Sequence, residues 1–405
     1  MKSGKIFAFA IVALFCIGSL AVLAGPNASA DEMELTEGSA YGQAFKMEMK
    51  NVEEAAGLSE GDILKFLNEA LVAEIGSIST GPISIDSIEF QKLDFKIIIA
   101  SLIEVVKANG DDGYIIDYAA GIGIEASVLL EIKGMLPEGG TYGTDVAPSE
   151  VDIKEKKVKF GVDVVLGLSV YGTMEFSPEG VLKSMTVNIE LSASLKVKTG
   201  LTFEFVYGED PADGPEAIKL IYKDTTYEAS ANLEFYAKLL FDPVVISSED
   251  KYEVYVDDIS ASGKISFNKN LSSFIDMLAG ESIVDTIMNN EFLDNGKFKL
   301  SEDMTKAAKE SEPTVVDYFS LADLKTSAAN LNSKLDDILP DIDLFDGLKP
   351  SELTNDQVKA VKKSLQEIKD IDDDGGNNTL ALVIIAVVLV AVIAVIAVVF
   401  FIRKP

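Results

Sequence analysis

From residue 158 to residue 207, apolar side chains fall on every second position, a pattern that becomes a continuous face only in extended strands. Val158, Phe160, Val162, Val164, Leu166, Leu168, Val170, Met174 and Phe176 occupy even positions. Ser177-Pro178-Glu179-Gly180 reads as a tight turn. The alternation then resumes on odd positions through Met185, Val187, Ile189, Leu191, Leu195 and Val197. Another run carries Tyr227 to Phe241 on odd positions and stops at Asp242-Pro243, and residues 251–267 supply a further pair of strand-like stretches. Residues 158–176 alone would reach about 65 Å as one strand, against a usual ~17–20 Å. The strands are therefore exceptionally long and curved, or turns lie hidden at Gly172 and near Thr199-Gly200.

Period 2 over such a distance predicts an antiparallel sheet with one apolar and one solvated face. Burying each large aliphatic side chain is worth about 1.5–3 kcal/mol, so a face of this size does not stay wet on a soluble domain. A second sheet, helices at 59–75 and 321–339, a partner subunit or lipid must cover it. If the cover leaves a cavity, Val162, Val164, Leu166 and Leu168 line it, with Val187, Ile189 and Leu191 facing them or beside them.

Other segments change period. Residues 40–52 alternate as a strand. Residues 59–75 place Ile63, Phe66, Leu67, Ala70, Leu71 and Ile75 on one helical face. Beyond Asn268 the pattern is helical, at 271–278, 282–289, 301–310, 321–339 and 351–371. In the last of these Val358, Val361, Leu365 and Ile368 recur at a/d spacing, too briefly for a coiled coil, and packing on the sheet is expected.

Composition excludes most catalytic chemistry. The 405 residues include no His and no Trp, and Cys16 and Arg403 are the single Cys and Arg. A Ser/His/Asp triad, a Cys/His pair and a Cys or His zinc site each lack an essential side chain. No catalytic, cofactor-binding or metal-ligating residue is assigned, and an enzyme is not expected. The net charge of −31 repels phosphates, so nucleic acid is excluded as a partner. Gly121-Ile122-Gly123-Ile124-Glu125-Ala126 fits G-x-G-x-x-A, yet its continuation reads as strand where a dinucleotide site needs a helix. Lys198-Thr199-Gly200 and Ser266-Phe267-Asn268-Lys269 match penicillin-binding-protein boxes only in reversed order. Residues 370–375 begin like an EF-hand loop, but position 12 is Ala381 and no tight calcium site is expected. Asn270 and Asn377 head N-glycosylation sequons.

The two ends set location. Lys2 and Lys5 precede the uncharged run 6–24, and Ala28-Ser29-Ala30 follows, the pattern of a cleaved signal peptide. Residues 380–402 are 23 apolar residues, about 34 Å as a helix and enough to cross a ~30 Å hydrocarbon core. Arg403 and Lys404 follow and hold that side in the cytoplasm. Since Lys2, Lys5, Arg403 and Lys404 lie outside it, segment 31–379 carries 31 basic residues against 66 acids, a net −35.

The reading is an α+β chain. Residues 1–30 are signal peptide, 31–268 a β-rich extracellular domain built on a large antiparallel sheet, and 269–371 a membrane-proximal helical segment. Residues 372–379 are an acidic linker, 380–402 the transmembrane helix and 403–405 the cytoplasmic tail. The expected protein is a single-pass type I surface protein of the cell membrane with a structural or interaction role, its partners the membrane and another surface protein. The alternative is an extracytoplasmic binder of an apolar ligand such as lipid.

Overall fold

The alternating runs form long strands, broken at the 177–180 turn and again after Thr199. The computed structural model describes residues 35–55, 57–75, 78–80, 83–109, 111–137, 141–143, 153–200, 202–207, 215–221, 223–279, 282–289, 293–325 and 353–372. The chain begins with β1 (Ala40–Glu48), α1 (Met49–Ala55), α2 (Asp62–Ile75), β2 (Ile78–Thr80), β3 (Ile83–Asn109), β4 (Gly113–Pro137) and β5 (Thr141–Gly143). It continues through β6 (Ile153–Phe176), β7 (Leu182–Thr199), β8 (Thr202–Tyr207), β9 (Pro215–Ile221), β10 (Thr225–Ile246) and β11 (Glu249–Phe267). Then come α3 (Lys269–Ala279), α4 (Ile283–Met288), β12 (Leu293–Asp294), β13 (Lys297–Lys299), α5 (Glu302–Lys309), β14 (Thr314–Asp317) and α6 (Asn355–Lys369). The sheet order is β1-β3-β4-β6-β7-β10-β11-β13-β12, with β2 on β3 and β14 on β11; β5, β9 and β8 form a second, small sheet. β3 has 27 residues, about 90 Å of extended chain.

Of the two places where a turn could hide, Gly172 has none, since β6 runs through it and stays paired with β4 along its whole length, whereas β7 ends at Thr199 and β8 begins at Thr202 in a second sheet. Length is managed by bulges, which bend and twist a strand that would otherwise stay flat. β3 slips register against β4 between Ile85 and Ser87, Phe90 and Lys92, and Val105 and Lys107, and β10 slips against β11 between Lys238 and Leu239. The last slip changes the phase of β11. Ile259, Ala261 and Ile265 share a face with Tyr252, Val254 and Val256, odd positions joined to even ones. Residues 251–267 are thus one strand and not a pair.

At the end of the sheet nearest the 177–180 turn, the apolar face is sealed. Met174, Phe176, Leu182, Met185, Val187, Leu239 and Phe241 are buried in one cluster with Ile103, Val105 and Ile116. Tyr252 has no exposed surface, and its ring stacks on Tyr318 at 4.9 Å and meets Phe241 edge-on. Its hydroxyl donates to the Phe319 carbonyl (2.6 Å) and accepts from the Leu182 amide (3.2 Å), pinning segment 318–325 with its buried Leu324 over the cluster. Within 321–339, residues 321–325 are helical; the rest of that expected helix lies outside the described residues, as do the signal peptide and 380–402. Among the described residues no helix is long and apolar enough to cross a membrane.

Two helical expectations change. The alternation of residues 40–52 ends at Met49, where the Asn51 side chain accepts from the Glu48 amide and α1 starts. α2 forms where expected, but Phe66 is 68% exposed, because Asn68 grips the Phe90 amide and carbonyl and sets the helix on the free edge of β3. α3, α4 and α5 match their expected segments, and Ser301 caps α5 by accepting from the Met304 amide.

On the opposite face lies α6. Thr354 and Gln357 close its capping box, and Val361, Leu365 and Ile368 are buried against Ile98, Ala100 and Leu102 of β3, with Val358 beside them. Its last turn rests on glycine. A Cβ on Gly123 would stand 2.8 Å from Ile371 Cδ1, and one on Gly167 2.7 Å from Ile371 Cγ2 and 2.9 Å from the Ile368 carbonyl. Gly121-x-Gly123 is therefore a bed for a helix, carried on a strand as its flanking residues require. Gly167→Val should cost about 1–3 kcal/mol by expelling that turn, even though Val is the better strand former. Hydrogen exchange would check it: the α6 amides should lose protection while those of β6 keep theirs, and unchanged α6 protection would refute the bed.

Candidate functional site

The register of β6 on β7 decides how the apolar positions meet. Val162 pairs with Val197, Val164 with Leu195, Leu166 with Ala193, Leu168 with Leu191, and Val170 with Ile189. All seven residues singled out from the sequence thus share one face. They do not share one environment. Val187 and Ile189 are 1% and 9% exposed inside the sealed cluster, and Leu168 packs against it. Val162, Val164, Leu166 and Leu191 are half-buried and belong to neither buried cluster.

These four continue across the neighbouring strands. Ile124 of β4 pairs with Leu166 and Val128 with Val162, while Ile97 and Leu93 of β3 pair with Ile124 and Val128. Each is half-buried. β3 was not read as a strand from the sequence and β4 only in the stretch just beyond Ala126, so this half of the floor was missed, although Ile97, Ile99 and Ile124 carry the same period. On the β10 side α3 folds back over the same face. Asn268 caps it by accepting from the Leu271 amide and donating to the Thr226 carbonyl, and Phe274 meets Tyr227 at 5.5 Å. Ala229 and Ala231 are buried there. The result is an apolar stripe floored by β3, β4 and β6, with α3 over the neighbouring β10. α6 packs on β3, β4 and β6 from the opposite face, and α2 packs against β3.

The chemistry on the opposite face is electrostatic. A cleft of about 670 Å³ between α1, the start of α2 and the strands β3, β4 and β6 is lined by Lys50, Lys92, Lys96, Glu60, Glu125 and Asp163 among others. Glu53, 2% exposed, is spent on structure: its carboxylate accepts from the Gly61 and Ile63 amides at the N-terminus of α2. Asp163 accepts from the Ser127 hydroxyl (2.6 Å) and the Lys198 ammonium (2.7 Å). Burial alone would raise its pKa, but these two bonds outweigh it and hold the carboxyl below its ordinary value. Lys198 of the K-T-G string is accounted for in this network.

A second cavity, about 360 Å³, lies beside α6 at Tyr171, Asn188, Thr173 and Glu104. Burial first, and then its hydrogen bond to Glu190, push the Tyr171 hydroxyl up to about 12. Lys369, the last residue of α6, sits 3.4 Å above the Tyr171 ring and 3.2 Å from Glu190, a cation–π contact backed by an ion pair. The EF-hand-like string begins in the same place. Asp370–Asp372 form a 3₁₀ turn that points Ile371 into the sheet. Residues 373–381 and the sequon at Asn377 lie outside the described residues; Asn270 donates its side-chain amide to the Thr226 carbonyl (2.9 Å). No protein-family model, curated protein or solved structure matches this chain.

Tyr171 and Tyr252 both carry hydroxyls raised to about 12, the latter mainly by burial. A tyrosine whose folded pKa exceeds its unfolded value of ~10 contributes stability that is whole below that value and is lost as the pH rises through the folded one. Melting temperatures should therefore fall between pH 10 and about 12, and Tyr171→Phe should fall less steeply than the native chain over that window. Equal slopes for the two would reject the assignment.

Proposed function

We propose that the protein is a surface protein held at a membrane by residues 380–402, with its sheet outside, and that this sheet binds an apolar ligand of the lipid class. The observation that carries the reading is the division of one apolar face. Toward Met174 and Val187 the face is packed shut, whereas Val162, Val164, Leu166 and Leu191, in register with Ile124 and Ile97, are half-buried and outside both clusters. Aliphatic rows of this kind gain about 25 cal/mol for each Å² that a ligand removes from water. The acidic field leaves this use of the stripe unopposed, since a neutral hydrocarbon feels no repulsion from it.

A second reading, a docking role toward another surface protein, is supported by the tip of the β10–β11 hairpin. Ser247 and Ser248 both adopt positive φ there and hold out Val245, 74% exposed, and Ile246. Substitution separates the two readings. Full chain purified from membranes and exchanged out of detergent should release stoichiometric lipid on organic extraction. Leu166→Asp should lose most of it, since a carboxylate in an apolar site is expensive, while Ile246→Asp should keep it. Retention of lipid by Leu166→Asp, or none on the native chain, would sink the lipid reading.

A further inference from the structure

The position of α6 fixes where the chain leaves the sheet. Ile368 and Ile371 seat on Gly121, Gly123 and Gly167, which lie on the opposite face of the sheet from Ile122, Ile124, Leu166 and Leu168 of the same strands. Because successive side chains on a strand point to opposite faces, the exit of the chain lies directly behind the middle of the apolar stripe, one sheet thickness away. Ion pairs to the sheet hold the helix in that place, among them Lys46–Glu367 (3.1 Å), Lys96–Glu367 (3.8 Å), Lys362–Glu104 (2.8 Å) and Lys369–Glu190 (3.2 Å). Residues 373–379 then separate Asp372 from the apolar run that starts at Leu380. Eight Cα steps cover at most about 28 Å when fully extended. If 380–402 spans the bilayer, the stripe cannot stand further from the headgroups than that reach plus the sheet.

From this we infer that the stripe takes its occupant, the acyl chain of a neutral or zwitterionic lipid, directly out of the membrane that anchors the same chain. The inference rests on the proposed reading and adds the source and the lipid class. The stripe fits that ligand in size: Val162 to Leu168 spans about 20 Å along β6, against ~15 Å for one leaflet's hydrocarbon. Headgroup choice follows from charge. The net −35 of segment 31–379 disfavours anionic headgroups, whereas a phosphatidylcholine or a neutral lipid meets no such barrier. A short tether also makes the encounter intramolecular. Effective concentration falls roughly as the −3/2 power of linker length, so lengthening the seven-residue linker by 30 Gly/Ser residues should lower it about tenfold.

The test uses full-length chain reconstituted in phosphatidylcholine vesicles. A phosphatidylcholine with a fluorescent acyl chain, at self-quenching density, is placed either in the protein's own vesicles or in added protein-free vesicles. Loading is read as dequenching. Loading from the protein's own vesicles should be at least about tenfold faster than from added ones, and the 30-residue insertion should slow the first about tenfold and leave the second unchanged. Leu166→Asp should abolish both. Equal rates from the two sources, or own-vesicle loading indifferent to the insertion, would overturn this inference and leave lipid binding standing. Absence of loading from either source would instead remove the lipid reading itself.

Discussion

An aliphatic face on strands of more than 20 residues cannot be satisfied by the sheet that makes it, and the other features of this chain answer that constraint. β-sheets are covered by a second layer, and here the cover is assembled piecemeal. Segment 318–325 closes one end through the buried Tyr252, whose two hydrogen bonds tie β7 and β11 to the covering strand of chain. α3 closes the β10 margin through Phe274. Between them the β3–β4–β6 floor is half-buried, and that unevenness separates it from the packed core.

The other face solves a different problem. A solvated sheet face is normally polar, yet here it presents Gly121, Gly123, Gly167, Ala100 and Ala119 along a diagonal. Small residues bring a helix backbone close, and close approach multiplies dispersion contacts. The Ile368 and Ile371 side chains fill the volume that Cβ atoms would occupy. Individually the flanking ion pairs are worth little, being part-exposed. Their arrangement at the middle, edge and end of α6 fixes its direction across the strands, which sets where the acidic linker begins.

Much of this was legible in the sequence, and for a clear reason. Period-2 patterning is local, so β6, β7, β10, the turn at 177–180 and the a/d face of α6 follow from side-chain order alone. What could not be read is whatever depends on a partner far along the chain. The glycines of β4 and β6 suit a helix some 200–250 residues later, so their spacing resembled a nucleotide motif until the partner was placed. The bulge opposite Lys238 and Leu239 shifts the phase of β11, and a strict alternation count breaks one strand into two. Phe66 fitted an amphipathic face that the edge position of α2 leaves outside. For the site, register placed all seven expected residues on one face, but only packing divided Val187 and Ile189 from Val162, Val164 and Leu166.

The charge distribution completes the logic of the two faces. With twice as many acids as bases in the segment, the lysines are too few to neutralise the surface and are instead placed where a negative group would otherwise loosen a contact. Lys198 steadies Asp163, Lys362 steadies Glu104, and Lys369 serves both the Tyr171 ring and Glu190. These pairings all lie on the face that carries α6. The apolar face needs no such neutralisation and has none of these pairs along Val162, Val164 and Leu166. One face therefore holds α6 by charge and close packing, while the other keeps a strip of hydrocarbon-like surface that only burial can stabilise. Because the two share the same strands, the seat of α6 is fixed relative to the strip without any further device.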